Sequence, residues 1–161
     1  MQAVKAFVFD VDGVLTDNSI QVTEAGELLR TMHVRDGQAM KWALKAGLPI
    51  GVITGGRSAG VTKRLSDLGL EQIYSGAADK IPPFQQFLER YGLLAAEVCY
   101  IGDDLPDLPV LRKVGLACCP ADAVPEILEV VDYVSPVRGG QGCVRDIIEK
   151  VLKLQSKWPE Y

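Results

Sequence analysis

The segment Phe7-Val8-Phe9-Asp10-Val11-Asp12-Gly13 carries an apolar run straight into two carboxylates one residue apart. Acids so placed suit work on phosphate with a metal, because a divalent cation offsets their mutual repulsion. Val4, Ala6, Phe7, Val8 and Phe9 form a short β-favouring stretch. That is the pattern of a strand buried on both faces of a parallel sheet, and Gly13 ends it. Ligands of open α/β sheets bind beyond the carboxyl ends of such strands. A turn at Asp12-Gly13 is expected to bring both acids to one site. An EF-hand loop is a different way to use such acids, but it needs a third ligand before its glycine and a helix in front. Here the glycine comes too early and a strand precedes it.

Three later signals sit where apolar runs give way to polar or glycine-rich residues. Leu48-Pro49-Ile50-Gly51-Val52-Ile53 ends in Thr54-Gly55-Gly56-Arg57-Ser58, Asp79-Lys80-Ile81-Pro82-Pro83 opens a helical stretch, and Val98-Cys99-Tyr100-Ile101 ends in Gly102-Asp103-Asp104-Leu105-Pro106-Asp107. Each has an ordinary reading on its own. Thr54 suits a helix N-cap, Lys80 a solvated surface position, and Asp103 and Asp104 the start of a helix. The ordered set of D-x-D, Thr, Lys and G-D-D-x-x-D resembles the haloacid dehalogenase superfamily of aspartyl-phosphate phosphatases over essentially the whole chain. The resemblance implies Asp10 as nucleophile, Asp12 as general acid and base, and Thr54 and Lys80 as phosphate-binding groups. It further implies Mg²⁺ held by Asp10, Asp12 and Asp103, with Asp104 and Asp107 as supporting acids and Gly55 beside the phosphate.

Physical chemistry gives each role a reason. A carboxylate that attacks phosphorus divides a hard hydrolysis into two steps, while a second acid protonates the leaving oxygen and later activates water. The phosphoryl oxygens must be held and their charge neutralised, which a lysine, a hydroxyl, backbone amides and a hard cation can do. A phospho-aspartate receiver domain also combines acids, Thr and Lys around Mg²⁺. It carries its acidic pair and phosphoacceptor on different strands, and has no acidic cluster after the lysine.

Composition narrows the setting. The chain has 161 residues, 48% of them hydrophobic, the size and make-up of one domain spanning 1–161. A net charge of -4 gives no basic footprint for nucleic acid. No apolar run approaches a membrane span, and no long apolar signal core follows the first basic residue, so the cytoplasm is the expected location. Cys99, Cys118, Cys119 and Cys143 lie in or beside apolar segments without C-x-x-C spacing, as buried free thiols do. His33 is the only histidine, which weakens a Ser-His-Asp or multi-histidine metal site.

The elements that must position these groups alternate. Helical spacing marks Asp36–Ala46, Ser58–Leu68, Pro82–Tyr91, Leu105–Lys113, Ala123–Val130 and Val144–Gln155, with short strands near Leu116–Cys118 and Tyr133–Val134. The expected fold is α/β, a doubly wound, Rossmann-like, mostly parallel sheet with helices on both faces. Between Asp12 and Thr54 there is room for a β-hairpin flap over Asn18–Val34 and one helix, but not for the large cap of many superfamily members. In the flap, Ile20 and Val22 alternate on one arm, Glu24-Ala25-Gly26-Glu27 bends, and Leu28, Arg30, Met32 and Val34 alternate on the other. An isolated two-stranded flap is rarely stable, so its apolar face is expected against a neighbouring subunit.

The capless layout, with Val34-Arg35-Asp36-Gly37 and Gly139-Gly140-Gln141-Gly142-Cys143-Val144-Arg145-Asp146, resembles the 3-deoxy-D-manno-octulosonate 8-phosphate phosphatases. That likeness implies a sugar-acid phosphate substrate in lipopolysaccharide precursor synthesis. It also implies a homotetramer in which a neighbour's segments help close the site; the flap, and with it the tail Trp158-Pro159-Glu160-Tyr161, are the candidate segments. Arg57 and Arg138, with Arg145 nearby, are the candidate partners of the substrate's anionic groups. A phosphatase of a nine-carbon sialic-type sugar acid 9-phosphate shares this framework.

Overall fold

The computed structural model describes residues 1–160; Tyr161, the last residue of the aromatic tail, lies outside the described residues. Eight strands run in chain order as β1 (Ala6–Phe9), β2 (Gln21–Val22), β3 (Leu28–Leu29), β4 (Ile50–Thr54), β5 (Gln72–Ser75), β6 (Val98–Ile101), β7 (Leu116–Cys119) and β8 (Tyr133–Val134). Six of them form one parallel sheet in the order β5-β4-β1-β6-β7-β8, while β2 and β3 pair as a separate antiparallel hairpin. The chain builds outward from β1 to β4 and β5, then returns to place β6 on the other side of β1. The loops after β1 and β6 therefore meet at a topological switch point, where ligands of such sheets bind.

Alternation along the central strands divides two cores. Phe7 and Phe9 of β1, Ile50 and Val52 of β4, Cys99 and Ile101 of β6 and Leu116 and Cys118 of β7 face one of them. Ala6 and Val8, Ile53, Val98 and Tyr100, and Ala117 and Cys119 face the other. The first is covered by α1 (Val34–Lys45), α2 (Ala59–Asp67) and α6 (Cys143–Leu154), the second by α3 (Ile81–Tyr91), α4 (Leu108–Leu111) and α5 (Pro125–Leu128). Helix α6 buries Cys143, Val144, Ile147, Ile148, Val151 and Leu152, the stripe expected of a helix laid on a sheet. All four cysteines are free and buried. No helix among the described residues is long and apolar enough to cross a membrane.

Three expectations are corrected. The helix expected over Leu105–Lys113 is a 3-10 turn at Leu105–Asp107 running into the single turn of α4, with Pro109 lacking the N–H that a continuous helix would donate to Leu105 O. The helix expected over Ala123–Val130 shrinks to α5, which Pro125 opens. Val34, placed by alternation on the flap, starts α1 instead. The flap strands are two residues long, and the turn between them closes with Thr23 N–H to Glu27 O at 3.0 Å and Gly26 at φ +80°. Met32 packs on the chain's own core, whereas Val22 and Leu28 remain 67% and 50% exposed.

The tail through residue 160 is docked at home. Trp158 meets Trp42 edge-on at 4.8 Å, and the Arg145 guanidinium lies over both rings at 4.5 and 4.7 Å while pairing with Glu149.

Candidate active site

The turn after β1 is tied by one carbonyl. Val11 O accepts from the N–H groups of Val14, Leu15 and Thr16, and Gly13 sits at φ +86°. Glycine is required there twice over, since a Cβ would also stand 2.0 Å from Asp103 Oδ2. The turn carries Asp12 beyond the buried Asp10, whose Oδ1 accepts from Val11 N at 2.7 Å. Thr54 ends β4, buried, with its hydroxyl oxygen accepting from Gly56 N at 3.1 Å. Asp10, Asp12, Thr54, Gly55, Gly56 and Lys80 line one cleft of about 220 Å³.

Lys80 is not a surface lysine. It precedes α3, which opens with Pro82 and Pro83, and its side chain turns inward with 3% exposure. Its Nζ lies 2.9 Å from Asp10 Oδ2 and 2.7 Å from Asp107 Oδ1. Asp107 is fully engaged: Oδ1 also accepts from Tyr100 Oη at 2.6 Å, and Oδ2 accepts from the N–H groups of Asp103 and Asp104 at 3.2 and 3.4 Å. Asp107 thus holds Lys80 and the loop after β6 together. Gly102 makes this possible, because a Cβ there would overlap Asp107. Asp104 is exposed and caps the 3-10 turn, accepting from Leu105 N at 2.7 Å.

Oxygens of Asp10, Asp103 and Asp107 come within 4.8 Å of one another, all on buried residues. The donor set fits a hard divalent cation. Asp103 Oδ2 accepts from Asn18 Nδ2 at 2.9 Å, but its Oδ1 is buried with no hydrogen-bond partner, which a cation would satisfy. Burial first, then the charge of Asp107, pushes the Asp10 carboxyl up to about 7 against the opposing pull of Lys80. Burial, then Asp10 and Asp107, pushes Asp103 up to about 7 as well. Burial works to lower the Lys80 ammonium, but the two carboxylates facing it raise it overall.

A buried carboxylate at a strand end, a buried lysine and an acidic loop, on this sheet order, agree with the match between residues 28–115 and the haloacid dehalogenase-like hydrolase family. The chain is also 38% identical over 157 residues to the 3-deoxy-D-manno-octulosonate 8-phosphate phosphatase KdsC of Escherichia coli K12, covering 98% of this chain and 84% of that one. The chain belongs to the haloacid dehalogenase-like hydrolase family. Among solved structures of this hydrolase family, the 3-deoxy-D-manno-octulosonate 8-phosphate phosphatase of Yersinia pestis superposes with a TM-score of 0.95 at 35% identity, over 97% of this chain and 84% of that one. The Moraxella catarrhalis phosphatase of the same name, in complex with a magnesium ion, a phosphate ion and KDO, gives 0.93 at 33% identity, over 96% and 89%.

The candidate arginines part company in this hydrolase. Arg57 is exposed one residue beyond the cleft, its guanidinium lying where a Cβ on Gly76 would stand. Arg138 is not among the residues lining the cleft; its Nε pairs with Asp122 Oδ2 at 3.2 Å, and Asp122 Oδ1 accepts from Gly139 N. Arg145 is held by the two tryptophans. Three site neighbours escaped the sequence reading. Tyr100 looks like one more apolar strand residue, and Asn18 reaches Asp103 from a backbone at φ +66° that no local pattern announces. Arg30, read as one step of the flap's alternation, pairs with Asp12; a lone long cation in an otherwise apolar alternation was the available signal.

Proposed function

We propose that the protein is a Mg²⁺-dependent phosphatase of a sugar-acid phosphate, 3-deoxy-D-manno-octulosonate 8-phosphate, acting through an aspartyl-phosphate on Asp10. The observation that carries the proposal is Lys80 buried between Asp10 and Asp107 in the cleft that Asp12 and Thr54 also line. The named activity of the Escherichia coli and Yersinia pestis relatives, and the magnesium, phosphate and KDO of the Moraxella catarrhalis structure, support the metal and the substrate.

In this reading a carboxylate oxygen of Asp10 forms a bond to phosphorus as the bond from phosphorus to the sugar oxygen breaks, and Asp12 gives that oxygen a proton. In the second half Asp12 takes a proton from water, the water oxygen bonds to phosphorus, and the bond to Asp10 breaks. Lys80, Thr54 and the Gly55 and Gly56 backbone hold the phosphoryl oxygens through both halves. Mg²⁺, held by Asp10, Asp103 and the Asp12 backbone carbonyl, supplies charge neutralisation when bound. Arg57 at the cleft edge is the proposed partner of the substrate's further anionic group.

The proposal includes a cytoplasmic homotetramer in which a neighbour's flap covers the cleft. The exposed Val22, Leu28 and Leu29 and the lack of a cap among the described residues support the assembly. The test is phosphate release from the eight-carbon sugar-acid 8-phosphate, a nine-carbon sugar-acid 9-phosphate and hexose phosphates, each with Mg²⁺ and with EDTA. Preference for the eight-carbon substrate, lost in EDTA, is expected. Preference for the nine-carbon acid would transfer the assignment to that substrate, and turnover in EDTA would overturn the metal role.

A further inference from the structure

Arg30 turns inward from a flap whose strands face solvent. Gln21, Val22, Leu28 and Leu29 are all exposed, yet the Arg30 side chain keeps only 7% of its surface. A guanidinium is rarely buried without a partner, and here the partner is Asp12. Arg30 Nε donates to Asp12 Oδ1 at 2.6 Å and Nη2 donates to Oδ2 at 3.2 Å. Among the described residues, both side-chain hydrogen bonds recorded for the Asp12 carboxylate come from this arginine. Such a fork fixes the plane of a carboxylate, which a single point charge does not.

The surroundings are shaped for the contact. A Cβ on Gly56 would stand 3.3 Å from Asp12 Oδ2 and 3.5 Å from both Arg30 Nη2 and Thr54 Oγ1. Any larger residue at 56 would enter the space where these three groups converge. Arg30 also lines a groove of about 400 Å³ with Leu28, Leu29, Met32 and Arg64. One side chain thus spans from the underside of the flap to the catalytic cleft.

We propose that Arg30 is the positioning residue for Asp12, so that the flap of the same chain sets the geometry of the carboxylate that moves protons. The inference rests on the reading of Asp12 as proton donor and acceptor. Asp12 sits on a turn with its side chain 32% exposed, so without the fork it is free to change rotamer. Misplacement of a catalytic group by about 1 Å costs on the order of 100-fold. The loss falls on steps that move a proton, not on substrate binding.

The test compares leaving groups in Arg30→Gln, Arg30→Lys and Asp12→Asn. A sugar phosphate must release a basic alkoxide and needs a proton, whereas p-nitrophenyl phosphate releases an acidic phenol and does not. In pre-steady-state measurements Arg30→Gln is expected to slow phosphoryl transfer from the sugar-acid phosphate by about 10- to 100-fold, with the nitrophenolate burst changed less than about threefold. The substrate concentration that half-saturates the transfer step should hold within about twofold for both substrates, and Arg30→Lys, which restores charge without the fork, should recover part of the rate. The double variant should lose no more than Asp12→Asn alone. Equal losses of the transfer step on both substrates, or an unchanged transfer rate with weakened substrate binding, would overturn the assignment. A leaving-group split in Asp12→Asn without one in Arg30→Gln refutes the Arg30 role alone; no split in Asp12→Asn refutes the Asp12 reading and this inference with it. Arg30→Lys carries the same comparison if Arg30→Gln does not fold.

Discussion

Removing protons from Asp10 and Asp103 should control how tightly Mg²⁺ binds. Both carboxyls are pushed up to about 7 in the metal-free protein, chiefly by burial. At pH 8 both are mostly ionised, but at pH 6 each is ionised only about one-tenth of the time, so a cation needing both binds about 100-fold more weakly. That factor corresponds to about 3 kcal/mol, whereas ordinary carboxyls titrating near 4 would leave affinity flat across the window. The metal-free fold runs the other way. An acid whose folded value is raised contributes stability below the unfolded value near 4, and that contribution is lost as pH rises through about 7. The melting temperatures in Mg²⁺ and in EDTA should therefore draw apart from pH 6 to pH 8. Calorimetric titration of Mg²⁺ in two buffers of different ionisation enthalpy should count nearly two protons released at pH 6, and fewer than one at pH 8. An affinity that does not change with pH would refute the reasoning, as would the same pH dependence in Asp103→Asn.

Asp10→Asn should abolish turnover while a urea melt shows the fold intact; near wild-type phosphate release from that variant would remove Asp10 from its role. Val22→Asp puts an unpaired charge on the exposed face of the flap, and sedimentation should show a smaller species if that face is an interface between copies. An unchanged sedimentation profile would exclude the contact. Asp36 is buried and pushed up to about 6, mainly by burial, so its ionisation removes stability between about pH 4 and pH 6. Asp36→Asn keeps an oxygen for Arg145 N, which donates to Asp36 Oδ1 at 2.7 Å, and should raise the unfolding free energy from urea melts at pH 8 by up to about 3 kcal/mol while leaving pH 4 unchanged. A loss of stability at both pH values would contradict it. Gly139→Ala should weaken Mg²⁺ binding and lower the melting temperature, because its Cβ would stand 1.8 Å from Gly13 O and push the Asp12 turn aside; calorimetry indistinguishable from wild type would rule out that coupling.

The frame of the site was legible because each acid sits where an apolar strand stops. β1, β4 and β6 were marked by apolar runs, and their parallel pairing follows from helices long enough to cross between them, whereas the strand order that joins their ends comes from the structure. What stayed hidden depends on contacts between residues distant in sequence. Arg30 reaches Asp12 across 18 positions, Asn18 reaches Asp103 across 85, and Tyr100 is distinguished from an apolar strand residue only by the hydroxyl that meets Asp107. Local pattern also overstated the helices after β6 and β7. Apolar periodicity continues there, but Pro106, Pro109 and Pro125 decide where N–H donors exist.

The Gly139–Asp146 block shows why a motif near a site need not touch the substrate. Gly140 N donates to Val14 O at 3.0 Å, and the Cys143 thiol donates to the same carbonyl, so the start of α6 is bound to the turn that carries Asp12. Asp36 of α1 in turn accepts from Arg145 N near that helix start. Asp122 fastens the other end of the block through Arg138 and Gly139 N. The start of α6 therefore presses on one short turn and is itself held by α1 and by Asp122, and Gly139 and Gly140 are there because the backbones meet too closely for a Cβ. A turn braced this firmly resists the mutual repulsion of buried acids that burial and charge both make costly. On the proposed reading the rigidity of the fold and the chemistry of the site have the same origin, because the packing that brings Asp10 and Asp103 together also shapes the place a cation would take.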